Sequence, residues 1–116
     1  MQKDIAVVVR QEGLGSVDAA DRTFGLEMLD KFLHVLEGQP ARPRTICFYT
    51  SGVKVVAKGS MAVAGLQLLE GMGVRILVCK TCLEKFGLLD KIAVGKVVGM
   101  NDIVKVLLEA DSVITV

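Results

Sequence analysis

Aromatic residues are scarce in this sequence, at 4%, with no tryptophan and a single tyrosine. That scarcity removes the stacking platforms that single-stranded nucleic acid needs. A surplus of one charge is missing too. Lysine and arginine total 14 and aspartate and glutamate total 13, a net charge of +1. No electrostatic case for nucleic acid or an anionic membrane follows from that balance. Long hydrophobic runs are absent as well. The longest charge-free apolar stretch lies between Lys58 and Glu70, far short of the ~20 residues of a spanning helix. The run from Ile5 to Val9 is too short for the core of a signal peptide. Three cysteines form no secreted disulfide framework, so the expected compartment is the cytoplasm, with reduced thiols. One histidine and three scattered cysteines do not supply a four-ligand zinc site. Neither a metal nor a cofactor is expected. The only prolines, Pro40 and Pro43, fall in a predicted connector over residues 39–44, where neither interrupts an element.

Aliphatic residues are plentiful. Hydrophobic residues make up 52% of 116, and the mean hydropathy is +0.52. A chain of this length suits one domain, residues 1–116, with a core of its own. Part of the apolar excess is expected between subunits of a homo-oligomer.

Strand and helix signals alternate. Ile5 to Val9 and residues 45–50 read as strands covered on both faces, as does 74–78. Residues 93–98 and 112–116 complete a set of five. A helix capped by Asp21 carries Phe24, Met28, Leu29, Phe32 and Leu36 at helical spacing and ends near Gly38. A second, capped by Ser60, runs over 61–72. It is apolar on nearly all sides, which points to a neighbouring subunit. A short helix follows near 83–86, and Asn101 caps a last one with Asp102, Lys105 and Glu109 on its wet face. This order predicts an α/β fold, a three-layer α/β/α sandwich around a mainly parallel five-stranded sheet. In such sheets ligands gather outside the carboxyl ends of the strands. Four loops lie there: residues 10–21, 50–54, 79–82 and 99–101.

Cys79-Lys80-Thr81-Cys82 is the one pointed chemical feature. Thr81 and Glu84 have the spacing of a capping box. That reading makes Thr81 the N-cap and Cys82 the first helical residue. Cys79 then sits exposed at the sheet mouth, where a helix N-terminus and Lys80 favour thiolate over thiol. Cys82 either resolves a bond to Cys79 or packs. Cys47, between Ile46 and Phe48, reads as core, and His34 as a surface or half-buried helical residue. Glu12-Gly13-Leu14-Gly15 lacks the third glycine of a dinucleotide loop. Its backbone N–H groups remain a possible anion cradle.

Phe48-Tyr49-Thr50-Ser51-Gly52-Val53-Lys54, the segment from Gly73 to Leu83, Ala93-Val94-Gly95 and Met100 resemble the DsrE-like family, nearest its YedF type. Glu12 to Gly15 fits the same type. The resemblance implies a sulfur or selenium relay in which a cysteine directly after the third strand carries a persulfide. Cys79 holds that position. It also implies oligomers, and donor and acceptor proteins, TusA-like ones among them. Three departures stand out. No Cys-Pro-x-Pro motif of a TusA-like domain is present, Lys80 replaces a common glycine, and Thr50 replaces a common asparagine. The candidate site is therefore Cys79 and Cys82, with Gly13, Gly15, Tyr49, Ser51, Gly52, Lys80, Thr81, Met100 and Asn101 as candidate binding residues. Two other readings stay open. One is a dithiol redox protein using Cys79 and Cys82; the other is a non-enzymatic module binding a small ligand.

Overall fold

Runs of β-branched and aliphatic residues form the five strands of the structure, a computed structural model that describes residues 2–116. They are β1 (Gln2–Val9), β2 (Arg42–Phe48), β3 (Arg75–Cys79), β4 (Lys96–Val98) and β5 (Ser112–Thr115). All pair in parallel, in the order β4-β3-β2-β1-β5. The α/β class and the five-stranded sheet are as the alternation predicts. Helices α1 (Arg22–Glu37) and α2 (Val63–Gly71) pack on each other. Right-handed crossovers put these two on one face and α4 (Met100–Glu109), which returns the chain from β4 to β5, on the other. The short α3 (Lys80–Lys85) leads from β3 toward β4. Among the described residues, no helix is long and apolar enough to cross a membrane.

The core follows the strand pattern. Val7, Val9, Ile46, Phe48 and Val78 are buried from the sheet, Leu29 and Leu33 from α1, Leu66 and Leu69 from α2, and Ile103 from α4. Removing each such side chain from water stabilises the fold by about 1.5–3 kcal/mol before entropy is counted. The buried face of α1 is Gly25, Leu29 and Leu33. Phe24, expected on that face, is 58% exposed. Cys47 is fully buried, as its place between two large apolar residues requires.

Element boundaries depart from the sequence reading where backbone chemistry intervenes. β2 begins at Arg42, so Pro43 lies inside a strand and not in a connector. Pro43 stands opposite Lys3, and the β1–β2 register then shifts by one before Ala6 meets Thr45. A proline cannot donate to a ladder, and a bulge beside it absorbs the lost bond. β4 is shorter than expected because residues 93–95 are held elsewhere. The Gln67 amide donates to the Ala93 carbonyl at 3.3 Å, and the Gly95 N–H donates to Glu70 at 3.2 Å. Gly95 itself turns with φ +93°.

Three expected side-chain caps are absent. Asp21, Thr81 and Asn101 make no capping hydrogen bond, and α3 and α4 begin one residue before Thr81 and Asn101. Ser60 comes nearer to expectation, accepting the Ala62 N–H at 3.3 Å just ahead of α2.

Residues 50–54, expected as a turn, open a seven-residue 3-10 segment, Thr50–Val56. Gly52 seats that segment against β1. A Cβ at Gly52 would fall onto the Val9 carbonyl oxygen. Backbone stands in the way, so no rotamer change relieves the clash. Gly52→Ala is expected to cost about 3 kcal/mol or more, read as a lower urea midpoint at unchanged m-value. Gly59→Ala, with nothing within 4 Å of its Cβ but φ +90°, should cost about 1 kcal/mol.

Candidate functional site

The carboxyl ends of β1, β2 and β3 meet at one residue, Thr50. Its N–H donates to the Cys82 sulfur at 3.0 Å. Its hydroxyl lies 2.7 Å from the Arg10 carbonyl oxygen and 2.7 Å from that of Tyr49, and its single proton serves one of them at a time. Tyr49 closes the join by donating its N–H to the Val9 carbonyl at 3.3 Å. Thr50 has φ +48°, the one positive φ at a non-glycine residue among the described residues. A β-branched side chain in that region costs roughly 1–2 kcal/mol. The departure from asparagine therefore falls where asparagine's tolerance of left-handed backbone would matter most.

The two cysteines of the Cys79–Cys82 loop are neighbours, close enough for Cys79 to raise the pKa of the Cys82 thiol. Their exposure is the reverse of the sequence expectation. Cys79 ends β3, forms the N-cap position of α3 and is 1% exposed. Cys82, on the first turn of α3, is only partly buried. The reason is the early start of α3. With Lys80 as the first helical residue, Cys79 keeps its inward strand direction and the helix turns Cys82 toward Thr50. The Cys82 thiol is raised from its ordinary pKa, mainly by burial, with the Thr50 N–H opposing and the Cys79 thiol adding to the rise. Burial pushes the Cys47 thiol up to about 11, with the Arg75 guanidinium opposing. Cys47 is a core residue with no place in this site.

The other expected residues divide. Gly52 and Ser51 belong to the 3-10 segment that carries Thr50, and Tyr49 precedes it. Lys80 and Thr81 are exposed on α3. Lys80 has no positive φ, so replacing a common glycine there carries no backbone strain. Gly13 and Gly15 are not brought to the thiols. Gly13 is buried against Gly25 of α1, and the Leu14 N–H is taken by the Gly25 carbonyl at 3.0 Å. That packing uses an N–H the anion cradle required. Gly15 is an exposed turn with φ +66°. Met100 and Asn101 open α4 with their side chains exposed. His34 is exposed on α1, between Asp30 at 3.3 Å and Glu37 at 3.0 Å. Thr50 was missed as a site residue, although its departure from asparagine was the available signal.

Two clefts of similar size flank the sheet. The larger, about 640 Å³, lies over β3, β4 and α4, and Glu70, Gly73 and Glu109 place it toward the amino ends of the strands. The second, about 600 Å³, lies along the 3-10 segment and the end of α3, and Lys54 and Phe86 line it. Position at the carboxyl ends makes the second the more relevant to the thiols.

Accessibility makes a direct test. In native protein at neutral pH, one thiol, Cys82, should react with an aromatic disulfide reagent within minutes. Cys47 and Cys79 should react only on unfolding. The rate at Cys82 should rise with pH through an apparent pKa above that of an ordinary thiol. Cys79→Ala should lower that pKa, because both contributions of Cys79 raise it. Fast labelling of Cys79 in the native state would contradict this order.

Comparison with known proteins places this geometry. Residues 43–116 match the model of the DsrE/DsrF-like family. A search of the curated proteins gives no match. Among solved structures, the ychN protein of E. coli superposes with a TM-score of 0.66 at 20% identity, covering all of both chains. The protein of unknown function MTH1491 from Methanobacterium thermoautotrophicum gives 0.67 at 21% identity, over 97% of each chain. BT1422 from Bacteroides thetaiotaomicron gives 0.60 at 18% identity, over 97% of this chain and 95% of the other. These three share the fold. The matched segment takes in β2, the 3-10 segment, the thiol loop and everything after it, well over half the sequence, and the chain belongs to the DsrE/DsrF-like family.

Proposed function

We propose that this chain is a sulfur-relay protein whose working unit is the Cys79–Cys82 pair. The observation that carries the reading is the pair of cysteines at the carboxyl end of β3, with Cys82 partly exposed and accepting the Thr50 N–H on its sulfur, and Cys79 buried behind it. The family resemblance gives Cys79 the carrier position. Exposure gives Cys82 the first contact with a donor.

The chemistry balances without an oxidant. The Cys82 thiolate attacks the outer sulfur of a donor persulfide, R–S–SH. A Cys82–sulfur bond forms, the donor S–S bond breaks, and R–S⁻ leaves with the electron pair. Cys79 then takes the outer sulfur from Cys82 by the same exchange. The proton lost by the Cys79 thiol goes to the departing Cys82 thiolate. The persulfide ends on the buried sulfur, out of reach of stray thiols. The steps run backward toward an acceptor thiolate. The Thr50 N–H supports this role, since it opposes the rise of the Cys82 pKa and can donate to the charged sulfur in each step.

The nearness of the two cysteines also favours a second reading, a dithiol that gives two electrons and two protons to a substrate disulfide. One experiment separates the two. The reduced protein is treated with a small persulfide donor and the adduct is mapped by mass spectrometry, in the wild type, Cys82→Ser and Cys79→Ser. Relay predicts a gain of one sulfur atom, at least tenfold slower in Cys82→Ser, and a persulfide confined to Cys82 in Cys79→Ser. A loss of two hydrogens with no sulfur gained would favour the redox reading. An absence of any adduct at either cysteine would sink the relay.

A further inference from the structure

Phe86, the residue that ends α3, lies one helical turn beyond Cys82, and Lys54 lies four residues beyond Thr50 on the 3-10 segment. The two elements pack together. Cys82 receives the Thr50 N–H at one end of this seam. At the other end the Lys54 ammonium sits 4.4 Å from the centroid of the Phe86 ring. The seam therefore runs from the reachable thiol into the 600 Å³ cleft lined by Lys54 and Phe86. The rise from Cys82 to Phe86 is ~6 Å.

The cleft has a definite chemical character. Arg22, Lys54 and Lys58 face it, against the single carboxylate of Glu12. Glu12 is committed to Arg22, at 2.8 Å and 3.2 Å. Among the described residues, neither Lys54 nor Lys58 meets a carboxylate. Much of the remaining lining is apolar, with Leu26, Met61, Phe86 and Leu88. Its backbone is fixed on the Lys58 side, where the Lys58 N–H donates to the Lys91 carbonyl at 2.9 Å. Unbalanced cations over an apolar wall recognise an anion with an apolar body. The volume suits a small organic molecule.

We propose that this cleft binds the sulfur substrate by its non-reacting end, and that the substrate class is a low-molecular-weight persulfide with a carboxylate and an aliphatic stem. The carboxylate pairs with Lys58 and Lys54, the stem lies on Phe86 and Leu88, and the outer sulfur reaches Cys82. This rests on the relay reading for the sulfur step, while the binding itself does not. The step keeps its balance. The Cys82 thiolate takes the outer sulfur of ⁻O₂C–R–S–SH, the S–S bond breaks, and the thiolate ⁻O₂C–R–S⁻ leaves the cleft.

The test has two arms. In the first, 6-mercaptohexanoate and the neutral 6-mercaptohexanol are titrated into reduced Cys82→Ser protein, followed by amide chemical shifts. The acid should bind at least tenfold more tightly than the alcohol, with shifts at residues 54–61 and 86–88. Lys58→Glu in the same background, checked for an unchanged melting temperature, should erase the preference. Equal binding of acid and alcohol, or a preference that survives Lys58→Glu, overturns the cleft. In the second arm, the persulfides of both compounds are offered to protein with Cys82 intact. A tenfold preference for the acid that falls to near unity in Lys58→Glu supports delivery through the cleft. Equal loading by both in the wild type overturns it while leaving the relay standing. Charge-dependent binding in the first arm with no sulfur gained in the second removes the relay and the sulfur-substrate assignment, and leaves an anion site.

Discussion

The left-handed backbone of Thr50 is the constraint on which the site depends. A threonine there costs roughly 1–2 kcal/mol, and something must hold it. Three contacts do. The hydroxyl reaches back to the Arg10 and Tyr49 carbonyls, the N–H meets the Cys82 sulfur, and Gly52 lets the following backbone lie against Val9. Each contact needs the others. Without the close approach at Gly52, the 3-10 segment would ride higher over β1 and the hydroxyl would lose the Arg10 carbonyl. Without the turn at Thr50, its N–H would point away from α3. Strain at one residue is thereby exchanged for a fixed distance between two strand ends and a thiol.

The sequence made the sheet legible because its buried strands are continuous aliphatic runs, and parallel order follows from their alternation with helices. The places it misled share one cause, the backbone's own hydrogen-bonding needs. Pro43 lies in β2 because a bulge in β1 tolerates its missing N–H. Residues 93–95 leave β4 because Gln67 and Glu70 claim their backbone groups. Neither arrangement leaves a mark on hydrophobic periodicity. Thr81 has the right spacing for a cap, yet α3 starts two residues early, at Lys80, and places it inside the helix.

That offset of two residues decides the site. The loop was identified from its two cysteines, and the prominence of Cys79 from its place after β3. Which sulfur faces outward depends on the phase of α3, which a four-residue spacing does not fix. A helix beginning at Lys80 leaves Cys79 in the pleat of β3, directed into the core, and rotates Cys82 to the rim. Gly13 is a related case. Glycine marks close approach as readily as a ligand cradle, and at Gly13 the approach is to Gly25 of α1.

A persulfide carrier faces two opposed demands. The sulfur must be reachable to be loaded, and it must be shielded afterwards, because a sulfane sulfur reacts with any thiolate that meets it. One exposed cysteine satisfies the first demand alone, and one buried cysteine the second alone. In the proposed relay, a pair of cysteines on the end of a strand and the first turn of the next helix would meet both, with one thiol at the rim and the other behind it. The raised pKa of Cys82 fits that division. A thiol whose pKa is raised is slower than an ordinary exposed thiol toward indiscriminate electrophiles at neutral pH. In the proposed relay, a substrate held along the seam would compensate for the small thiolate fraction by raising the effective concentration of its sulfur at that one atom. Selectivity in such a site comes from the cleft beside the thiol more than from the thiol's own reactivity.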